Sequence, residues 1–361
     1  MKLLITGGHP TPALALIDEI KKKKNVEIVF VGRKHPIIGE KTFSFEYQEV
    51  IKKGVKFIDI KTGKLPRFFT KDIFINICLL FHGFFSAFFI LIKEKPNAII
   101  SFGSFLAFPI AFWALFLKIP IFLHEQTIVP GLVSRIIGIW AKKIFLSFPD
   151  AQKYFINKKA EIIGNPIRFN EEIENKKTKN KKPVIYVTGG SLGSHAINLH
   201  MEKILPFIIK KYIIIHQIGN ISKFNDFNRL KNKFKDPSYF PFSHVSREEL
   251  FHIYKKADLV ISRAGANTFF ELIAFKKPTI FIPLPYSASK EQLLHAKIFK
   301  DAGTGEIFDQ KEPSEKLLHL IDKMIFNLKK YQENFKKLRL LYKKDATKKM
   351  VKKIFASIKE N

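Results

Sequence analysis

Two glycine loops carry the side chains best suited to chemistry. The run Leu3-Leu4-Ile5-Thr6 ends in Gly7-Gly8-His9, and Thr11-Pro12 follow as N-cap and first-turn signals for a helix. Further on, Val184–Thr188 (VIYVT) runs into Gly189-Gly190-Ser191-Leu192-Gly193-Ser194. A helical pattern follows, with Ile197, Ile204 and Ile208 on one face. Glycine lets a ligand approach the backbone closely, and a helix start offers free N–H groups with partial positive charge. Each loop therefore suits a phosphate, although the same residues also make an ordinary tight turn. Neither is a P-loop, because G-x-x-x-x-G-K-[ST] does not occur. A nicotinamide site is disfavoured: the second strand ends in Val31-Gly32-Arg33, where such enzymes want an acid for the ribose. His9 adds an imidazole that can take a proton near neutral pH or hold an anion.

Composition narrows what the loops can serve. With 361 residues and 46% hydrophobic composition the chain can build two cores. Cys78 is the one cysteine, which excludes a disulfide framework and a cysteine metal cluster. The start, MKLLITGG, lacks the long apolar region of a secretory signal, so a cytoplasmic protein is expected. The net charge of +30, from 62 Lys+Arg against 32 Asp+Glu, favours nucleotide phosphates, an anionic bilayer or nucleic acid. Lysines scatter along the whole chain, as a general compositional bias would also give. No zinc spacing or RNA-recognition motif supports nucleic acid as a partner.

The elements that must position these residues alternate β-branched runs with amphipathic stretches, the pattern of βαβ units in an α/β protein. Strands are expected at Lys2–Thr6, Val26–Val31, Val55–Ile60, Ala98–Phe102, Ile119–His124, Ile144–Phe148 and Glu161–Ile163. A second series follows at Val184–Thr188, Tyr212–Gln217, Ser238–Pro241, Leu259–Ser262, Thr279–Pro283 and Gly305–Phe308. Between the series, Arg168–Lys182 is charged and nearly free of apolar residues, as a linker would be. The division expected is a domain over 1–166, a linker over 167–182, a domain over 183–340 and a C-terminal helix over 341–361. Two doubly wound domains, each opened by a strand and a glycine loop, predict a ligand cleft between them.

Several longer segments sharpen the expectation. HEQTIVPGLVSR (His124–Arg135), GNPIR (Gly164–Arg168), HQIG (His216–Gly219), ADLVISRAGANTFFELIAFKKPTIFIPLP (Ala257–Pro285) and EQLLHA (Glu291–Ala296) occur in that order. Together with TGGHPTPALAL and GGSLGSHAIN they resemble the MurG family of glycosyltransferases over nearly the whole chain. The resemblance implies a GT-B fold, two Rossmann-like domains facing across a cleft. It implies transfer of N-acetylglucosamine from UDP-N-acetylglucosamine to the lipid-linked precursor lipid I. On the donor side it implies Gly190 and Ser191 at phosphate, Arg263 near the donor, and Gly265 and Ala266 at a helix start facing the pyrophosphate. Glu271 would take the ribose diol and Gln292 a sugar hydroxyl. A carboxylate suits a diol because it accepts from both hydroxyls. On the acceptor side the implied set is Thr6, Gly7, Gly8, His9, Gly103, Thr127 and Arg168. His9 is the foremost catalytic candidate, with His124 and Glu125 competing as base.

No D-x-D occurs, so the charge of departing UDP would fall on helix starts and Arg263. No cofactor is expected, and the sequence leaves open whether a divalent cation binds loosely. The chain departs from the family pattern at Leu192 for a glutamine, Thr127 for an asparagine and His295 for an asparagine. The third glycine loop, Phe102-Gly103-Ser104-Phe105, keeps a single glycine.

From Ile73 to Ile92 the chain is apolar apart from Asn76, His82, Gly83 and Ser86. That length can span a bilayer, but the strand at Ala98 would then be cut off from its sheet. A helix that is half core and half membrane-facing is expected instead, with Phe74, Cys78, Phe81, Phe85 and Phe88 on one stripe. Lys64, Arg67, Lys71 and Lys93 flank it, as they would beside anionic headgroups at the cytoplasmic face of a membrane. Two other functions fit the same fold: a glycolipid synthase with a diacylglycerol or other polyprenyl acceptor, and a UDP-N-acetylglucosamine epimerase. The phenylalanine-rich basic patch disfavours the epimerase, whose soluble substrate needs no membrane.

Overall fold

The structure, a computed structural model, describes residues 1–35, 43–63, 73–155, 159–168, 182–190, 192–221 and 223–359; at 73–75 and 288 it describes the backbone alone. The chain divides into two compact units, Met1–Arg168 with Lys343–Asn361, and Phe169–Tyr342.

In the first unit seven strands form one sheet: β1 (Lys2–Thr6), β2 (Glu27–Gly32), β3 (Lys56–Asp59), β4 (Ala98–Ser101), β5 (Ile121–Glu125), β6 (Lys143–Leu146) and β7 (Ala160–Ile162). Their order is β3-β2-β1-β4-β5-β6-β7, parallel throughout. Successive residues of a strand point to opposite faces, and helices cover both. Leu3, Ile5 and Phe30 therefore join one core, with Leu14 and Ile17 of helix Pro10–Ile20. Leu4, Val31 and Leu123 join the other, with Ile110 and Ala111 of helix Ala107–Phe116. The C-terminal helix Ala346–Lys359 returns to this unit and buries Met350, Val351 and Ile354 in the first of these cores.

The second unit has six parallel strands: β8 (Val184–Thr188), β9 (Ile213–Gln217), β10 (Tyr239–Phe242), β11 (Leu259–Ser262), β12 (Thr279–Phe281) and β13 (Gly305–Ile307). Their order is β10-β9-β8-β11-β12-β13. All thirteen strands expected from the sequence are present, with ends shifted by at most two residues. The order reverses beside β1 and beside β8, and ligands of such sheets bind at the carboxyl ends of the strands at that switch point. Both glycine loops leave the sheet there.

Residues 169–181, most of the expected linker, lie outside the described residues, while Ile167 and Arg168 are buried in the first unit.

Helix Ile73–Glu94 is long, and its Asn76–Glu94 portion is apolar enough to cross a membrane by length and composition. Ala87 and Leu91 anchor it in the core, while Phe81, Phe85 and Phe89 stand 63%, 63% and 66% exposed. The expected stripe needs one correction. Phe88 is half-buried, its ring 4.9 Å from Trp113, because the neighbouring helix Ala107–Phe116 covers that edge. Phe89 takes its place on the open face. The side chain of Phe74 lies outside the described residues, as do Lys64, Arg67 and Lys71.

Candidate active site

The first loop leaves β1 beside β4, whose Ser101 pairs with Thr6. Gly7 has φ +140, and a Cβ there would lie 2.8 Å from Phe102, so only glycine lets the first and third loops lie this close. Helix Pro10–Ile20 starts two residues earlier than Thr11-Pro12 implied, with His9 as N-cap and proline in its first turn. The His9 side chain therefore sits at a helix start. Gln126 Nε2 donates to His9 Nδ1 at 2.6 Å. A neutral ring that accepts at Nδ1 carries its proton on Nε2. Burial lowers the pKa of His9, with the charge of Glu125 acting against it, so the neutral form prevails at pH 7. Of the two roles open to His9, holding an acceptor oxygen fits this tautomer and taking a proton does not.

Glu125 ends β5, and its Oε1 accepts from Thr127 N at 2.9 Å and Thr127 Oγ1 at 2.7 Å. The threonine that replaces the family asparagine is thus tied to the candidate base. His124 points the other way: it is 1% exposed, with Nε2 3.3 Å from Ser147 Oγ and 3.5 Å from Gly164 O. Burial pushes its pKa to about 3. A base must come within hydrogen-bond reach of its proton donor, and this ring is enclosed in the frame. Arg168 is likewise committed, donating to Glu49 Oε2 at 2.7 Å from a buried position. Gly103 sits in the third loop, against Ser134.

In the second unit β8 pairs with β9 and β11, so the second loop leaves next to the Ser262-Arg263 turn. Gly193 has φ +82, and a Cβ there would strike the Ile218 carbonyl at 2.0 Å. Gly190 N donates to Thr188 Oγ1 at 3.0 Å. Ser191 lies outside the described residues. Helix Ala266–Phe275 starts at Gly265 without a side-chain cap, which leaves its first N–H groups for an anion.

Arg263, expected near the donor, is hydrogen-bonded within its own unit. Its NH1 donates to Ile282 O at 2.8 Å, and its NH2 to Ser194 Oγ at 2.8 Å and Gln310 Oε1 at 2.9 Å. It braces three loops. Glu271 is buried in an apolar helix, and Tyr254 OH donates to its Oε2 at 3.1 Å. Gln292 uses its Oε1 to accept from Leu284 N at 2.9 Å. Among the described residues no group of three or more His, Cys, Asp or Glu is arranged to hold a metal.

Gln126, Tyr254, Ser194 and Gln310 were not singled out in the sequence. Gln126 stood inside a motif whose flanking residues drew the attention, and Tyr254 reads as one more apolar position of helix Arg247–Lys256.

Residues 6–146 match the glycosyltransferase family 28 N-terminal domain and residues 184–353 the glycosyltransferase family 28 C-terminal domain. The UDP-N-acetylglucosamine--N-acetylmuramyl-(pentapeptide) pyrophosphoryl-undecaprenol N-acetylglucosamine transferase of Clostridium tetani is 35% identical over 352 residues, 93% of each chain. The chain belongs to the MurG family of glycosyltransferases. A crystal structure of Acinetobacter baumannii MurG is 22% identical, with TM-score 0.73 over 98% of this chain and 99% of that one. The UDP-GlcNAc 2-epimerase of Neisseria meningitidis, 14% identical, has TM-score 0.65 over 99% and 100%. Both likenesses concern the fold, which is GT-B as the sequence implied.

One departure from the MurG pattern gains a physical explanation. His295, in place of an asparagine, is fully buried and stacks on Phe269, and its Nδ1 donates to Ala264 O at 2.8 Å. It therefore holds the residue before Gly265 and with it the uncapped helix start. Leu192, in place of a glutamine, is largely exposed, and nothing in the structure explains it.

Proposed function

We propose that the chain transfers N-acetylglucosamine from UDP-N-acetylglucosamine to the C4 hydroxyl of the N-acetylmuramic acid in undecaprenyl-pyrophosphoryl-N-acetylmuramyl-pentapeptide, converting lipid I to lipid II with inversion. The observation that carries this reading is 35% identity across 93% of both chains with a protein of that printed activity. The C4 oxygen bonds to the anomeric carbon as the bond from that carbon to UDP breaks. The electron pair leaves with UDP and the hydroxyl proton passes to a base.

On the donor side, Gly190, Ser191 and the start of helix Ala266–Phe275 take the pyrophosphate, Glu271 the ribose and Gln292 the sugar. Arg263 keeps these loops in place. On the acceptor side, Thr6, Gly7, Gly8 and Gly103 cradle the lipid pyrophosphate, and His9 donates to an acceptor oxygen. Glu125 takes the hydroxyl proton, with Thr127 orienting it. This chemistry needs no resident cofactor, so EDTA is expected to leave most of the turnover intact.

The exposed face of helix Ile73–Glu94 meets an anionic membrane surface from the cytoplasmic side. It is an apolar face with Lys93 at its end, and the chain as a whole is basic.

Purified protein given radiolabelled UDP-N-acetylglucosamine and a lipid I analogue should release UDP and label the lipid. Labelling of diacylglycerol instead would reassign the acceptor. Conversion of the sugar nucleotide with no acceptor present would make the chain an epimerase.

A further inference from the structure

Glu271 is the one carboxylate of helix Ala266–Phe275, whose other buried side chains are apolar or aromatic. A carboxylate taken out of water needs hydrogen-bond donors to remain ionised, and a donor on one oxygen also fixes the direction in which the other lone pairs point. That donor comes from a different element: Tyr254 of helix Arg247–Lys256, whose hydroxyl lies 3.1 Å from Glu271 Oε2. The tyrosine ring has little freedom. It is buried, edge-on to Tyr186 at 5.8 Å and tilted against Phe275 at 5.2 Å.

Tyr186 continues the arrangement on β8. Its hydroxyl donates to Gln217 Oε1 at 2.7 Å, Thr188 Oγ1 donates to the same oxygen at 3.0 Å, and Gly190 N donates to Thr188. The carboxylate and the second glycine loop thus share a buried support built on two tyrosines in ring contact.

We propose that Tyr254 is a positioning residue, which holds Glu271 in the rotamer that meets the nucleotide's vicinal diol and so sets the preference for ribonucleotide over 2′-deoxyribonucleotide. The proposal rests on the reading of Glu271 as the ribose carboxylate. Tyr254 itself touches no substrate; it acts through the carboxylate.

The test is calorimetric titration of the full-length chain with UDP and with 2′-deoxy-UDP. The wild type should prefer UDP, and Glu271→Gln should abolish most of that preference. Tyr254→Phe, which keeps the ring and removes only the hydroxyl, should lower the UDP to 2′-deoxy-UDP affinity ratio by about tenfold, the scale of one hydrogen bond to a charged group. The double variant should show the ratio of Glu271→Gln alone, since the tyrosine acts through the carboxylate. A merely structural tyrosine would weaken both nucleotides equally and leave the ratio unmoved. That result for Tyr254→Phe, with the preference lost in Glu271→Gln, overturns the proposal and spares the ribose reading. An unchanged ratio in Glu271→Gln overturns the ribose reading itself. Should Tyr254→Phe fail to fold, a crystal structure of the wild type with UDP decides: Tyr254 OH still bonded to Glu271 while the carboxylate meets the ribose diol supports the proposal, and a tyrosine parted from the carboxylate overturns it.

Discussion

An imidazole that accepts at Nδ1 offers a proton from Nε2, so the bond from Gln126 to His9 separates two roles that the residue type alone leaves open. A donor can be replaced by another donor. His9→Gln should keep turnover within about tenfold of wild type, while His9→Ala should lower kcat by about 10²-fold and Glu125→Gln by at least as much. Steady-state rates with a soluble lipid I analogue check this. If His9→Gln falls as far as His9→Ala while Glu125→Gln stays active, the histidine is the base after all. At this scale the sequence was legible in part. His9, Glu125 and Glu271 stood in motifs that named their chemistry, but a motif lists residues and not the bonds among them. Nothing in GNPIR said that Arg168 would be spent on Glu49, and nothing in SRAG said that Arg263 would brace Ser194 and Gln310.

Among the elements, strands were the most readable, because a parallel strand buried on both faces is a short unbroken apolar run. Leu3, Leu4 and Ile5 are all fully buried, and β4, β5 and β11 read the same way. The helix Ile73–Glu94 was harder, since an almost wholly apolar helix has no polar face to mark which side the protein covers. Its packing against Phe108, Phe112 and Trp113 chose that side, turning Phe84 and Phe88 inward and leaving Phe81, Phe85 and Phe89 out. Replacing Phe81 and Phe85 with serine should weaken sedimentation with phosphatidylglycerol vesicles at least tenfold while kcat on a soluble acceptor stays within twofold. Equal binding by the variant would remove this face from the membrane. The first glycine loop makes a second prediction at this scale. Gly7→Ala must accept φ +140 and a collision with Phe102, so the first unit should lose about 2 kcal/mol or more in denaturant melts.

For the molecule as a whole, acid should act unequally on the two units. His216 and His295 in the second are held neutral by burial, with pKa values near 3 and 4, whereas the unfolded chain protonates them near 6.5. The unfolded state then binds more protons below pH 6.5, so stability falls as the pH drops. From pH 6 to pH 5 these two groups together remove about 2 kcal/mol. In the first unit His9 and His124 act in the same direction, but burial raises Glu46 to about 7, and a carboxyl raised in the fold gains stability over that same drop. Hydrogen exchange at pH 6 and pH 5 should therefore show protection lost faster in the second unit. Equal loss would mean that these histidines are not held neutral.

A C-terminal helix was expected over 341–361, and helix Ala346–Lys359 is there, but the sequence did not say which core its apolar stripe would join. It belongs to the core that Leu14 and Ile17 began some 330 residues earlier, counting from Ile17 to Ala346. During synthesis that core stays open at one seam until this helix has cleared the ribosome, after the whole second unit has been made. The nascent chain thus carries an unfinished N-terminal half for most of its translation, a natural client for chaperones. A stop placed after residue 342 should cripple the half encoded first and spare the half encoded last.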